Sequence, residues 1–561
     1  MRGKTIGSNR GVIVAGVIVL ALVAAACGDD DSDEPAPAAP TTAPTTTADS
    51  DAPAATEDSE AVSEAVEDCG PLEMAFPFDM QVPDPAIFYQ SDGLNVTRGA
   101  YEGLLRYKPN TDLPEIEPLL ASSYDISDDG LVYTFQIREG VKFHDGTDLT
   151  AQDVVRSFER RVGVDAGPAY MLWDVASYET PDDYTLIITL NQPDSAFIHY
   201  MAAPYGPGIV SPEAVEANEV DGDLAQAWIA TNSAGTGPYY ISSFEPGEYE
   251  LTRFDDYWGE APYVPACFSP IHIRVIPDFT TQMLELENGG LDIMIHGVTK
   301  NDLPRFQDAG FEVFQHTGIN FVVMHLNTHD GPFTDPAIRA AVPQAIDREF
   351  IVEQVYGDLA KVATTLFPQG MLPPGKGLFE PGHNPQALTD AVAAGGWEDA
   401  TIDLAFTTDN PNNQQVAGLV AAQLTAAGLN TTSRGVTQPE TFEYPTTPDI
   451  RPDALILPAT PDAAHAFTWS DLFYRPGGGL SYFSPEVCSE GDQFSFDGLR
   501  VVGDEAVAEV YAQASEAYAE CGAFVPLADV IETVVARPGM TGFEHRYDDL
   551  SALRIASLRD G

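Results

Sequence analysis

Alternation of apolar and polar residues identifies a clear strand at residues 131–137. Tyr133, Phe135 and Ile137 alternate with polar residues, which is the two-residue period of a strand with one buried face. Gly140 follows and interrupts the pattern. The sequence therefore predicts a half-buried strand that ends before this glycine.

The residues after Gly140 predict a turn and a capped helix. The apolar residues Val141 and Phe143 indicate a second, short strand fragment, and His-Asp-Gly at 144–146 is typical of a turn. Thr150 stands three residues before Asp153, the spacing of a capping box, in which the two side chains satisfy free amides at a helix start. Apolar residues at 154, 155 and 158 give that helix a buried face.

The same patterns continue along the chain and alternate between the two element types. Strands are predicted at 72–76, 184–190, 271–276, 289–295, 320–327, 404–406 and 523–527, and helices at 195–201, 335–352, 416–429 and 504–520. Asp335 is placed to cap its helix, with Pro336 at the first helical position. Mixed order of this kind predicts an α/β protein.

The block from 131 to 160, LVYTFQIREGVKFHDGTDLTAQDVVRSFER, resembles the hallmark segment of the extracellular solute-binding proteins of family 5, the peptide and nickel receptors of ABC importers. Further segments that resemble the family are Pro83-Asp84-Pro85, YEGLL at 101–105, RFDDYWG at 253–259, the helix pair at 335–352 and AFVPL at 523–527. The matches extend over about 69 to 545.

This resemblance implies a periplasmic-binding-protein-like, two-lobed clamp of class II, of the large three-domain peptide-receptor type, with a hinge between the lobes near residue 320. The expected boundaries are 69–106 for the first part of lobe I, 107–232 for its inserted domain, 233–321 for its second part, 322–537 for lobe II and 538–561 for a return to lobe I. Gly235-Thr236-Gly237 corresponds in the family to a strand that crosses between lobes. No P-loop lysine or dinucleotide glycine pattern follows it.

The amino-acid composition restricts the kinds of molecule that the protein is expected to bind. The chain has 561 residues, 44% of them hydrophobic, and carries 27 Lys and Arg against 86 Asp and Glu, a formal net charge of −59. That length predicts two or three domains. The negative charge argues against nucleic acid and against electrostatic docking on anionic lipid. Such a surface indicates solubility, and it is also found in proteins that meet high salt.

The N-terminus predicts export and a lipid anchor. Basic residues at 2, 4 and 10 precede an apolar run at 11–26, which is short for a membrane span and suits a signal peptide. The run ends in Val-Ala-Ala-Ala before Cys27, which resembles a bacterial lipobox with Ala24 where leucine is usual. Residues 1–27 are thus expected to be a lipoprotein signal peptide with Cys27 acylated; ordinary cleavage that leaves a free thiol is the alternative. Residues 28–68, rich in Asp, Ala, Pro and Thr, are expected to be a disordered spacer.

The remaining cysteines are expected to form disulfides. Cys69, Cys267, Cys488 and Cys521 allow three pairings in an exported chain. We favour Cys488 with Cys521, because they flank one helical stretch, which leaves Cys69 with Cys267. No CxxC spacing or adjacent histidine cluster indicates a metal site.

No enzyme is indicated. The sequence contains no G-x-S-x-G elbow, no HExxH and no Walker loop. Among 86 carboxylates some pair could always be nominated as glycosidase acid and base, so a secreted hydrolase is kept only as an alternative. His144 is interpreted as a turn residue. No cofactor and no metal are expected.

The resemblance implies that the chain binds a solute and presents it to a membrane permease. The expected ligands are di- and oligopeptides, and the protein is expected to be a monomer. Alternatives are another organic solute such as an oligosaccharide, a nickel complex, or a surface sensor without a permease. In the peptide-binding branch an aspartate in a W-x-A-D-Y-x-D-P run pairs with the ligand's amino terminus; the corresponding stretch here, 456–463, lacks the tryptophan and offers Asp462. The candidate ligand-binding residues are Asp462, Thr460, Trp469, Tyr482, Phe76, Asn320 and Thr236.

Overall fold

The alternating stretch at 131–137 forms a strand, Val132–Ile137, in the computed structural model of the chain. The structure describes residues 68–91, 93–111, 113–259, 266–380, 382–408, 410–483, 485–544 and 553–561. The predicted signal peptide, Cys27 and the spacer up to residue 67 lie outside the described residues.

The described residues form a mixed set of strands and helices. The strands are β1 (Gly70–Phe76), β2 (Leu105–Tyr107), β3 (Ile116–Pro118), β4 (Ala121–Ile126), β5 (Val132–Ile137), β6 (Val175–Asp182), β7 (Thr185–Leu190), β8 (Tyr239–Glu245), β9 (Glu248–Arg253), β10 (Phe268–Val275), β11 (Ile293–Met294), β12 (Glu312–Leu326), β13 (Ala360–Val362), β14 (Thr401–Thr407), β15 (Asn430–Val436), β16 (Ala454–Ala459), β17 (Phe524–Ala536), β18 (Met540–Thr541) and β19 (Arg559–Asp560). The helices are α1 (Leu94–Ala100), α2 (Ala151–Val164), α3 (Phe197–Ala202), α4 (Pro212–Asn218), α5 (Gln226–Ile229), α6 (Phe279–Glu287), α7 (Leu303–Asp308), α8 (Pro336–Ala345), α9 (Arg348–Ile351), α10 (Pro385–Gly395), α11 (Pro411–Ala426), α12 (Gln438–Thr441), α13 (Ala466–Trp469), α14 (Ser489–Leu499) and α15 (Asp504–Cys521).

The capping box at the start of α2 is present. The Thr150 amide donates to Oδ2 of Asp153 at 2.9 Å, and the Thr150 hydroxyl contacts the same oxygen at 2.7 Å. The expected strand fragment at 141–143 is shortened to a single antiparallel bridge, because the chain turns back within a few residues. Lys142 bridges to Asp148, the amide of Phe143 donates to the carbonyl of Thr147, and the amide of Leu149 donates to the carbonyl of Val141.

Two four-stranded sheets build one part of the molecule, which we call the first lobe. One sheet has the order β1-β10-β9-β8, with β1 parallel to β10. The other is antiparallel, β4-β5-β7-β6, and the inward face of β5 shares a hydrophobic core with α2. This second sheet falls within the inserted domain expected at 107–232, although the domain boundaries themselves stay a prediction.

A seven-stranded sheet builds the second lobe. Its order is β11-β17-β12-β16-β14-β15, with β13 paired to β17, and α8, α10 and α11 share its core. The strands β14, β15 and β16 are parallel, as a strand-helix-strand unit requires. The segment 461–521, between β16 and β17, shares a hydrophobic core with the first lobe, so the two lobes are packed together.

Two strand assignments from the sequence are corrected. Residues 235–237 form a loop that leads into β8, within the first lobe, and not a strand that crosses between lobes. The glycines there serve close packing: a Cβ would lie 2.0 Å from the carbonyl oxygen of Ala100 at Gly235 and 2.3 Å from that of Gly99 at Gly237. The strand expected at 289–295 shrinks to β11, which pairs with β17 of the large sheet.

Strands β12 and β17, which are neighbours in the seven-stranded sheet, run through the position near residue 320 where the sequence predicts the hinge. Residues 312–317 of β12 pair with 531–536 of β17, and residues 321–325 pair with 524–529. The register shifts between Thr317 and Phe321, so the ladder is interrupted there. The expected hinge position near residue 320 lies in this interruption.

Two disulfides join distant parts of the chain. Cys69 is bonded to Cys267, and Cys488 is bonded to Cys521, which is the pairing favoured above. The first ties the start of β1 to the start of β10, and the second ties the start of α14 to the end of α15. In the described part of the chain, no helix is both long enough and apolar enough to cross a membrane.

Candidate functional site

The two lobes meet at a buried carboxylate, that of Asp462. This residue follows β16 of the second lobe and is 2% exposed. The Tyr89 hydroxyl donates to Oδ2 of Asp462 at 2.5 Å, and the Tyr170 hydroxyl donates to the same oxygen at 2.6 Å. Both tyrosines belong to the first lobe. One carboxylate oxygen of the second lobe therefore accepts hydrogen bonds from two side chains of the first lobe.

The environment of this carboxylate favours its neutral form more than water does. Burial raises the pKa of Asp462 to about 6, and the hydrogen bonds from Tyr170 and Tyr89 oppose that rise. Burial and the nearby carboxylate raise the pKa of both tyrosines, so the hydroxyls keep their protons. Within the described residues, Oδ1 of Asp462 accepts no hydrogen bond. This second oxygen is the one that a donor group of a ligand could use.

Aromatic rings surround the two hydroxyls. The ring of Tyr89 lies 5.0 Å from that of Tyr205, and the ring of Tyr170 lies 5.8 Å from Tyr200 and 6.5 Å from Trp173. Trp173 is 63% exposed, so the cluster runs from the interior to the surface. Flat apolar faces with polar tips can pack against ligand side chains of different shapes.

Helix α2 positions the loops that carry the tyrosines. The guanidinium of Arg161, near the end of α2, donates to four backbone carbonyls, those of Pro85, Pro168, Tyr205 and Gly206. Its neighbour Arg160 forms a buried bidentate ion pair with Asp84, at 2.8 and 2.6 Å. These contacts fix the loop before Tyr89 and the turn that contains Tyr170. Burial lowers the pKa of Arg161 to about 10, so this side chain stays charged.

A second polar contact between the lobes lies around two histidines. The amide of Ala464 donates to the Tyr107 hydroxyl at 3.0 Å, and that hydroxyl lies 3.0 Å from Nδ1 of His199. The ring of His465 is 5.2 Å from that of His199, and its Nε2 lies 3.3 Å from the hydroxyl of Ser195. Burial lowers the pKa of His199 to about 4 and lowers the pKa of His465 as well, so both rings are neutral.

Asp462 is the candidate residue that the structure places at the contact between the lobes. Thr460 is half-buried in the same loop, two residues earlier. Trp469 is fully buried, 5.3 Å from the ring of Phe321 and 4.5 Å from that of Phe473, within the shared hydrophobic core.

The other four candidates have their partners elsewhere. The ring of Tyr482 lies 5.4 Å from that of His325, and the ring of Phe76 lies 6.5 Å from that of Tyr249. Asn320 donates to Glu532 at 3.0 Å. Thr236 donates to the buried Glu102, also at 3.0 Å. The part of all these residues in ligand binding stays a prediction.

Sequence reasoning missed Tyr89, Tyr170 and Arg161. The two tyrosines lie outside regular α-helices and strands, where apolar periodicity carries no information. The adjacent arginines at 160 and 161 were a usable signal, because the chain has few basic residues and these two sit at a helix end. In the residues that the structure describes, no three His, Cys, Asp or Glu side chains are grouped so that they could hold a metal ion.

Comparison with known proteins extends these observations. The family described as bacterial extracellular solute-binding proteins, family 5 Middle, matches residues 115–481. The chain is 26% identical over 360 residues to a probable D,D-dipeptide-binding periplasmic protein of Escherichia coli K12, which covers 63% of this chain and 67% of that protein. It is 26% identical over 501 residues to heme-binding protein A of Haemophilus influenzae, covering 82% and 87% of the two chains.

The fold also matches solved structures. An ABC transporter-associated periplasmic binding protein from Helicobacter pylori, in complex with peptide STSA, superposes with a TM-score of 0.73 at 22% identity. The match covers 87% of this chain and 98% of that one. At this identity the likeness shows the fold, a two-lobed α/β clamp.

Proposed function

Because the chain belongs to family 5 of the bacterial extracellular solute-binding proteins, we propose that it captures peptides between its two lobes and delivers them to the permease of an ABC importer. Members of this family are extracytoplasmic substrate-binding components of ABC transporters rather than enzymes. For this chain we propose further that Cys27 carries a lipid anchor, that the protein is a monomer and that it catalyses no reaction.

The arrangement around Asp462 is the observation that carries the peptide assignment. A carboxylate that is buried between the lobes, with one oxygen free of hydrogen bonds from described residues, suits the ammonium group at a peptide's amino terminus. The attraction between opposite charges is stronger where water is excluded than at the surface. Asp462 therefore supplies a fixed anchor point, while the aromatic rings around it tolerate different side chains.

Closure explains how such a site works. Tyr89 and Tyr170 reach Asp462 only when the lobes are together. A ligand that contacts both lobes binds the closed form better than the open form, so it shifts the population toward closure by its differential affinity. The closed form is the state that a permease can distinguish from the empty receptor.

Native mass spectrometry of the protein purified from its own cells tests this proposal. A ladder of released peptides that can be sequenced is the expected result. Release of a single sugar, a heme or a metal complex would agree with a solute-binding clamp but would contradict the peptide assignment. Turnover of a bound compound would contradict the absence of catalysis. If the purified protein carries no ligand, thermal unfolding in the presence of a dipeptide library tests whether peptides bind and stabilise it.

A further inference from the structure

A charged contact between the lobes lies at residues that our proposed ligand site does not include. Arg500, directly after α14, donates from Nη1 to Oδ2 of Asp174 at 2.8 Å and to the carbonyl of Pro193 at 3.0 Å. The side chains of Arg500 and Asp174 are 31% and 30% exposed. Among the described residues, the Arg500 side chain donates hydrogen bonds to these two partners alone, and both belong to the first lobe.

The first lobe holds its side of this contact in place. The amide group of Gln192 donates to Oδ1 of Asp174 at 3.2 Å, and the backbone amide of Asn191 donates to the Asp174 carbonyl. Ser195 extends the contact, because its amide donates to the Leu499 carbonyl at 2.9 Å and its hydroxyl to that of Gly498 at 3.2 Å. The first lobe therefore supplies the acceptors for the Arg500 side chain and also the donors to the last two carbonyls of α14.

The second lobe also holds α14, through covalent and hydrogen-bonded links. The disulfide between Cys488 and Cys521 joins the start of α14 to the end of α15. Arg339 of α8 donates to the carbonyl of Cys521 at 2.8 Å, which ties α15 to the second lobe. Since each partner is fixed within its own lobe, the contact forms when the lobes close and breaks when they open.

We propose that Arg500, Asp174 and Pro193 form a clasp that sets the equilibrium between open and closed lobes, and so sets affinity without touching the ligand. When only the closed form binds tightly, apparent affinity is proportional to the population of that form. The clasp thus changes the affinity for every ligand by one common factor. For a half-buried ion pair with an additional hydrogen bond, this factor is about threefold to tenfold. The statement about affinity rests on the proposed function, and the statement about closure does not.

Hydrogen exchange of the ligand-free protein measures closure directly. The amides of Ser195 and Ala464 both donate across the contact between the lobes, to Leu499 and Tyr107, so their exchange rates report opening. In Arg500→Ala we expect both amides to exchange about threefold to tenfold faster than in the parent protein. Arg434→Ala is the matched control, because Arg434 pairs with Asp403 at 2.9 Å within the second lobe and should leave both rates unchanged.

A charge exchange separates the clasp from a folding defect. Asp174→Arg combined with Arg500→Asp restores the pair with its charges reversed, and we expect exchange to return toward the parent rates. Thermal unfolding of each variant shows whether it is folded. Equal exchange in the parent and Arg500→Ala, whether protected or unprotected, overturns the clasp. Because this experiment contains no ligand, a wrong ligand class would leave its result intact.

Discussion

The hydroxyl of Tyr89 donates a 2.5 Å hydrogen bond to the carboxylate of Asp462, and it does so from the opposite lobe. Tyr170 makes a similar bond to the same oxygen. Neither tyrosine can keep this partner when the lobes separate. Opening therefore exposes a carboxylate and two hydroxyls together, which are the groups that can meet the charged end of an incoming ligand.

Replacing Asp462 with asparagine removes the charge and keeps the size of the side chain. We expect the affinity for a peptide with a free amino terminus to fall by about 30-fold or more, because losing one partner of a buried charge pair costs about 2–5 kcal/mol. Isothermal titration calorimetry with free and N-acetylated forms of one peptide measures the loss. An equal loss for both forms would show that Asp462 does not bind the amine.

Peptide affinity should depend on pH through the same residue. The pKa of Asp462 is raised to about 6, so the charged form that pairs with an ammonium group is populated above that pH and lost below it. We expect the affinity of the parent protein to fall by about tenfold per pH unit below 6. Titrations between pH 4.5 and 7.5 check this, and Asp462→Asn should have a flat profile over the same range. A parent profile that stays level would exclude Asp462 as the titrating anchor.

Trp469 should matter for stability whatever its part in binding. Its side chain is fully buried between the rings of Phe321 and Phe473. We expect Trp469→Ala to lower the free energy of unfolding by about 3–5 kcal/mol, the usual cost of removing a large core aromatic. Guanidinium unfolding measures this change. Trp173→Ala is the control: Trp173 is 63% exposed, so the loss should stay within about 0.5 kcal/mol.

The lipid anchor that we propose leads to a prediction about cell fractionation. In Cys27→Ala the proposed acylation site is removed, so we expect the exported protein to move from the membrane fraction to the soluble one. Mass spectrometry of the parent's N-terminal peptide should find Cys27 carrying acyl chains. An unmodified Cys27 in membrane-free parent protein would favour ordinary signal-peptide cleavage.

Local patterns predicted local structure well. The spacing of Thr150 and Asp153 is enough to identify the start of α2, because a capping box needs only neighbouring residues. Strand β5 followed in the same way from its alternating side chains. The α/β class followed from the order of the predicted strands and helices, and the two-lobed clamp followed from the resemblance of the block at 131–160 to one family.

Contacts between residues that are far apart in the chain could not be predicted from the sequence. Tyr170 and Asp462 are separated by 292 positions, and no pattern in either loop indicates the other. The loop at 235–237 was expected to be a crossing strand because the segment resembles such a strand in the family. In the structure they are required by close backbone packing against Gly99 and Ala100, which only the folded chain reveals.

The interrupted pairing of β12 with β17 has a mechanical consequence for this receptor. The two strands stay hydrogen-bonded on both sides of the break, and β13 pairs with residues 528–530 of β17 beside it, so the strands cannot slide past each other without losing these ladders. When the two lobes close, the sheet can therefore bend at this break, but the register of its strands does not change. A constant register returns Tyr89 and Asp462 to the same alignment each time the lobes close, whichever ligand is bound.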